Sequence, residues 1–129
     1  MGSLRILIVD DHATVRRGVR ILLSSRRDWV VCGEAEDGFE AVEKAKRLRP
    51  DVVLMDISMP RMDGVEATRI IQREVPESKV IIVSQNDPIV ALSQAEEVDA
   101  VGYVNKADLA RDLLPAVERV VADRGGEKT

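Results

Sequence analysis

Residues 49–64 read RPDVVLMDISMPRMDG, and the rest of the chain is arranged around them. Val52, Val53, Leu54 and Met55 form an unbroken apolar run between Pro50 and Pro60. A run this short and this apolar reads as a strand buried on both faces. Asp56 follows directly, so its carboxylate should emerge at the strand's carboxyl end, the edge where open α/β sheets hold their ligands. Pro60, Asp63 and Gly64 then supply turn chemistry and open a helix.

The same alternation extends in both directions. Residues 4–9 are almost wholly aliphatic, a first strand ended by Asp10 and Asp11. In residues 12–27, Val15, Val19, Leu22 and Leu23 recur at helical spacing, with Arg16, Arg17, Arg20, Arg26 and Arg27 on what reads as a solvated face. Residues 29–32 make a second strand, and Asp37 opens a second helix that carries Ala41, Val42, Ala45 and Leu48 and stops before Pro50. Beyond Gly64, residues 65–75 are helical up to Pro76, and residues 80–83 form a fourth strand ending at Ser84. Pro88 starts a further helix, and residues 101–104 form a fifth strand that ends at Asn105 and Lys106. The last helix places Leu113, Val117, Val120 and Val121 at core spacing. An interior proline costs a helix about 3 kcal/mol, so a regular start near Asp112 is expected, which would leave Pro115 in the first turn.

Five strand–helix units in succession predict right-handed crossovers and a doubly wound parallel sheet, the flavodoxin-like (βα)5 fold with strand order 2-1-3-4-5. One domain is expected over residues 1–122, with residues 123–129 a polar tail or the start of a linker. At 129 residues, 45% hydrophobic and 33% charged, the chain can bury one core and is neither disordered nor membrane-spanning. A net charge of −4 gives no general attraction to nucleic acid. The single cysteine, Cys32, lies in an apolar run and reads as a small hydrophobe. With no signal-peptide pattern before the first strand, a cytoplasmic location is expected.

All strand ends of a parallel sheet share one rim, so Asp10, Asp11, Asp56, Ser84 and Lys106 should converge although they are far apart in sequence. Three carboxylates about 5 Å apart repel by roughly 3–4 kcal/mol per pair at an intermediate dielectric, and they call for a cation. Oxygen donors without a histidine or cysteine set favour Mg²⁺, which takes one or two protein carboxylates and a phosphate oxygen. Asp56 could then attack phosphorus, with Mg²⁺ and Lys106 offsetting charge on the phosphoryl oxygens and the Ser84 hydroxyl donating to one of them. The plainer alternative makes these acids helix caps and Lys106 a surface charge, which accounts poorly for all five together. His12, beside the acidic pair, reads as a solvated first-turn residue.

Asp10-Asp11, the run DISMPRMDG over residues 56–64, Ser84 and Lys106 together resemble the signature of two-component response-regulator receiver domains of the CheY type. The start DDH with Val15, Arg16 and Gly18 is similar to the NarL/FixJ class. The resemblance implies that Asp56 accepts a phosphoryl group from a sensor histidine kinase. It further implies that Asp11, Asp56 and the Ser58 backbone carbonyl hold Mg²⁺, with Asp10 assisting through water. Ser84 and Tyr103 would move on phosphorylation and change the face made by the fourth helix, fifth strand and fifth helix. A partner, a second copy of the chain or a DNA-binding output domain would read that change; no such output domain lies within these 129 residues. Two positions depart from the pattern. Ala107 follows Lys106 where many receivers have proline, and Gln85 is longer than the small residue frequent there. Two other functions use overlapping features: an interaction module that takes no phosphate, and a phosphohydrolase with an aspartyl nucleophile, for which a second acid and a substrate cleft are not evident.

Overall fold

The computed structural model describes residues 3–127, with side-chain surroundings through Asp123. Strands β1 (Leu4–Val9), β2 (Trp29–Ala35), β3 (Val52–Asp56), β4 (Lys79–Ser84) and β5 (Gly102–Asn105) alternate with helices α1 (Ala13–Leu23), α2 (Gly38–Leu48), α3 (Gly64–Glu74), α4 (Pro88–Glu97) and α5 (Leu109–Glu127). All strand pairs are parallel, in the order β2-β1-β3-β4-β5. This is the flavodoxin-like arrangement expected from the alternation.

The two-residue period of the strands divides the core. Ile6, Ile8, Val52, Leu54, Ile81, Val83 and Val104 face α1 and α5, where Val19, Leu23, Leu113 and Val117 meet them. Leu7, Val9, Val53, Met55, Val80 and Ile82 point the other way, onto Ala41 and Ala45 of α2, Ala67 and Ile71 of α3 and Ala95 of α4. Every residue of β3 is buried, as a strand covered on both faces requires.

Three expectations are corrected. β2 runs on to Ala35 instead of stopping at Cys32. Its register against β1 shifts between Ile6 and Leu7, which leaves Cys32 as an extra residue and resets the alternation that marks a strand in sequence. α5 begins at Leu109, directly after a 3₁₀ turn over Lys106–Asp108, so Pro115 lies inside the helix. Pro115 and Arg111, the residue whose carbonyl loses its partner, are both exposed, so water can satisfy that carbonyl, while the early start packs Leu109 against the core. Finally, α5 continues past residue 122 to Glu127. The core pattern stops near Val121, but adding a helical turn needs only the backbone ladder. Residues 128–129 of the expected tail lie outside the described residues.

Candidate functional site

The site forms where β1, β3, β4 and β5 end. β1 delivers Asp10 into the interior and leaves Asp11 partly exposed. Asp10 stays in register because its N–H donates to the Ala35 carbonyl at 3.0 Å, a bond that exists only because β2 extends past the bulge. Arg16, expected on a solvated face, is instead largely buried. It donates from Nη1 to the Asp10 carbonyl at 2.7 Å and from Nε to Glu34 at 2.8 Å, tying α1 to the end of β1.

β3 ends on Asp56, which is 3% exposed. The turn that follows is shaped by a close approach. A Cβ at Gly64 would lie 2.0 Å from the Asp56 carbonyl oxygen, and the Gly64 N–H donates to the Ile57 carbonyl at 2.8 Å. Only glycine lets α3 start this near the strand end. Asp63 caps α3 by accepting from the Glu66 N–H, and Asp37 caps α2 by accepting from Glu40. Arg61, at φ 67°, folds back to pair with the Asp37 carboxylate and lies 5.5 Å from the Phe39 ring centre. The Gly38 N–H donates to the Met62 carbonyl at 3.1 Å. Residues 58–62 are thereby fastened to the start of α2.

Lys106 enters from beyond β5. No cis peptide bond occurs among the described residues; the Asn105 side chain instead accepts from the Ala107 N–H at 2.9 Å and starts the 3₁₀ turn that carries the lysine. Its ammonium lies 2.6 Å from Asp10 Oδ2 and 3.3 Å from Asp56 Oδ2, with all three side chains at most 10% exposed. Burial acts to lower the lysine's pKa, but the hydrogen bond to Asp10 and the charges of both acids hold it above its ordinary value. Asp56 is pushed up to about 6, first by burial and then by the charge of Asp10, against the opposing pull of Lys106 and the Ser58 N–H. That N–H donates to Asp56 Oδ1 at 3.3 Å.

The expected rim therefore forms, with gradations. Asp10, Asp56 and Lys106 are in direct contact, and the Ser58 backbone touches Asp56. Ser84, buried at the end of β4, accepts from the Asn86 N–H at 2.9 Å and, among the described residues, makes no hydrogen bond to Asp56 or Lys106. Gln85 beside it is exposed. Tyr103 packs with the α2–α3–α4 side of the core, and its hydroxyl accepts from Asn105 Nδ2 at 3.1 Å. His12 is solvated as expected, its side chain 60% exposed, and it also has near neighbours. It caps α1 by its backbone position, and its Nδ1 lies 3.2 Å from Asp10 Oδ1 and 3.1 Å from Asp11 Oδ1. Sequence reasoning missed the parts played by Asn105, Arg61 and Arg16. An Asx residue just before a turn was a usable signal for the first; nothing local marks the others.

The donor set suits a divalent cation. Asp10 and Asp56 share one ammonium, which leaves one negative charge in excess, and Asp11, next to Asp10 in the chain, adds a second; its Oδ1 is buried without a hydrogen-bond partner.

A parallel sheet in this order, with two acids ending β1, a buried acid ending β3 and a lysine after β5, defines a receiver. The chain belongs to the response regulator receiver domain family, whose model matches residues 6–118. Among curated relatives, it is 39% identical over 124 residues to the transcriptional regulatory protein DegU of Brevibacillus brevis, covering 96% of this chain and 52% of that one. Among solved structures, a LuxR-family two-component response regulator from an Aurantimonas species superimposes with a TM-score of 0.88 at 34% identity, covering 95% of this chain and 87% of that one. RcsB of Salmonella enterica serovar Typhimurium, bound to promoter rprA in the presence of the phosphomimetic BeF3⁻, gives a TM-score of 0.83 at 29% identity, covering 92% and 98%. The chain spans about half the length of the curated relatives it matches, 52% in the case of DegU.

Proposed function

We propose that this receiver takes a phosphoryl group onto Asp56 from the phosphohistidine of a sensor kinase and signals through a change of surface. The observation that carries the reading is the contact of Lys106 with both Asp10 and Asp56 at a rim otherwise short of positive charge. An Asp56 carboxylate oxygen attacks phosphorus, the phosphorus–nitrogen bond to the donor imidazole breaks, and the imidazole nitrogen keeps the electron pair. With a pKa of about 6, Asp56 is mainly ionised at neutral pH and needs no separate base. Lys106 lies where it can pair with a phosphoryl oxygen. Asp11, Asp56 and the Ser58 carbonyl would hold Mg²⁺, with Asp10 reached through water. When bound, the ion supplies the two positive charges that the acids lack.

The output side is α4, β5 and α5. Ile89, Val90 and Leu92 of α4, Val101 before β5 and Val121 of α5 are all exposed, apolar surface of the kind that partner or self-association covers. Ser84 ends β4 and Tyr103 belongs to β5, Ser84 hydrogen-bonded to its own loop and Tyr103 to Asn105. Freeing those two side chains is the step that would carry the change, through pairing of two copies or an output domain that acts on DNA. The match to DegU and to promoter-bound RcsB supports a transcriptional output. An unpaired Cys32 fits the reducing cytoplasm, where such a kinase would present its phosphohistidine. The deciding test is incubation with acetyl phosphate and Mg²⁺ followed by intact-mass measurement. The parent should gain one phosphoryl group and Asp56→Asn none. Equal labelling of both would exclude Asp56 as acceptor.

A further inference from the structure

Of the three arginines in α1, Arg17 and Arg20 are exposed and Arg16 turns inward, its side chain 12% exposed. We propose that Arg16 is a positioning residue for Mg²⁺: its bond to the Asp10 carbonyl sets the Asp10–Asp11 peptide and so aims the Asp11 carboxylate. This rests on the reading of Asp11 as a Mg²⁺ donor and adds the residue that holds the donor in place.

Three observations carry it. The first is what the guanidinium touches. β1 ends at Val9, paired with Ala35 of β2 and Met55 of β3, so the Asp10 carbonyl lies beyond the ladder. Among the described residues, the one hydrogen bond to that carbonyl comes from Arg16 Nη1, at 2.7 Å. The Asp10 N–H is held by the Ala35 carbonyl at 3.0 Å. Asp10 is thereby clamped at both of its backbone polar groups, and its carbonyl shares one rigid peptide plane with the Asp11 N–H.

The second concerns Asp11. Among the described residues its carboxylate accepts no hydrogen bond and has only the His12 ring in ion-pairing range. Its direction therefore follows from the backbone that carries it. The third is charge. Arg16 lies 2.8 Å from Glu34 and 3.5 Å from Glu36, and Arg20 lies 2.5 Å from Glu34. The hydrogen bond from Arg20 leads in holding the Glu34 carboxyl below its ordinary range. Two arginines against two glutamates make a neutral set, so Arg16 brings no net charge to the rim and acts on it through position. An arginine suits this place better than a lysine, because a planar fork reaches a carbonyl and a carboxylate together.

The test compares the parent with Arg16→Met, Arg16→Lys and Arg20→Met, using MgCl₂ and acetyl phosphate. In amide NMR titrations of the unphosphorylated chain, Arg16→Met should weaken Mg²⁺ by about tenfold, the size usual for a group that orients a ligand. Arg16→Lys keeps the charge without the fork and should fall between Arg16→Met and the parent. Arg20→Met breaks the neighbouring pair on Glu34, leaves the Asp10 carbonyl bonded, and should stay within about twofold of the parent. In phosphorylation, the Mg²⁺ concentration giving half the maximal rate should rise in Arg16→Met by the same factor. The rate at saturating Mg²⁺ should stay within about twofold of the parent's. A residue that only held the fold would instead lower the melting temperature and leave the Mg²⁺ dependence unmoved. If Arg16→Met does not fold, Arg16→Lys carries the comparison, and weakened Mg²⁺ binding is still required. A parent that takes no phosphoryl group would end the phosphorylation reading and leave the NMR titrations to decide this one. Equal Mg²⁺ affinity in the parent and the folded Arg16 variants, or a parent that binds no Mg²⁺, would overturn the proposal.

Discussion

Lys106 Nζ is closer to Asp10 than to Asp56, 2.6 Å against 3.3 Å. The lysine is thus anchored on the acid that ends β1, and its longer contact reaches the proposed acceptor. Both acids depend on it, because among the described residues no other lysine or arginine pairs with either carboxylate. Removing one partner of a buried charge cluster leaves the others uncompensated. Lys106→Ala is expected to destabilise the metal-free chain by about 3 kcal/mol in urea unfolding at neutral pH. In Lys106→Ala/Asp56→Asn the loss should be smaller than the sum of the single effects, because one of the two carboxylates that Lys106 compensates is then neutral. Strict additivity would show that the lysine and Asp56 are not coupled.

The raised pKa of Asp56 makes a second prediction with a defined sign. Below pH 3.8 the carboxyl is protonated in both folded and unfolded chains and costs nothing. As the pH rises from 3.8 to about 6, the unfolded state releases its proton first, so stability falls through that window and stays lower above it. About two pH units correspond to roughly 3 kcal/mol at most. In EDTA, Asp56→Asn should therefore be more stable than the parent near pH 7, with the gap closing near pH 4. A parent that is more stable than the variant at pH 7 without metal would contradict the burial argument.

Two glycines make opposite predictions from the same measurement. A Cβ at Gly18, on the exposed side of α1, would meet nothing within 4 Å. Gly18→Ala should stabilise the chain by about 0.5–1 kcal/mol through helix propensity. At Gly64 the same Cβ would sit 2.0 Å from the Asp56 carbonyl oxygen, on backbone that cannot move without displacing Asp56. Gly64→Ala should cost more than about 4 kcal/mol or prevent folding. Thermal melts of the two variants decide it.

The contrast shows what the sequence could and could not reveal. Gly64 was legible as a turn residue because it follows Pro60 and Asp63; that its α-carbon presses on Asp56 was not, since the contact depends on where α3 lands. The sheet order and the acids at its rim were legible because aliphatic runs mark the strands and parallel strands share an edge. The end of β2 was hidden by the bulge at Cys32, which shifts the alternation by one residue. The start of α5 was misplaced because propensity weighs Pro115 and takes no account of solvent reaching the carbonyl it leaves unpaired. Arg16 and Arg61 could not be singled out among the surface arginines, because their roles arise from partners 18 and 24 residues away in sequence.

Arg61 allows the last of these links to be tested. It pairs with Asp37, covers Phe39 and sits at φ 67°, a conformation that costs a non-glycine residue about 1–2 kcal/mol. Its side chain is 64% exposed, so the ion pair itself should add less than about 1 kcal/mol to stability. Its larger effect should be local: it fastens residues 58–62, and with them the Ser58 backbone, to the start of α2. Arg61→Ala removes the fastening and keeps the strained backbone, whereas Arg61→Gly removes both. If the side chain holds the loop, amide exchange at residues 58–62 should quicken in both variants and phosphorylation by acetyl phosphate should slow in both, while only Arg61→Gly retains the parent's melting temperature. Asp37→Asn should reproduce the faster exchange, because the amide oxygen can still cap α2 but no longer attracts the guanidinium. Exchange at residues 58–62 that matches the parent in all three variants would mean that the loop is held by the Gly38–Met62 hydrogen bond and the Gly64 contact alone.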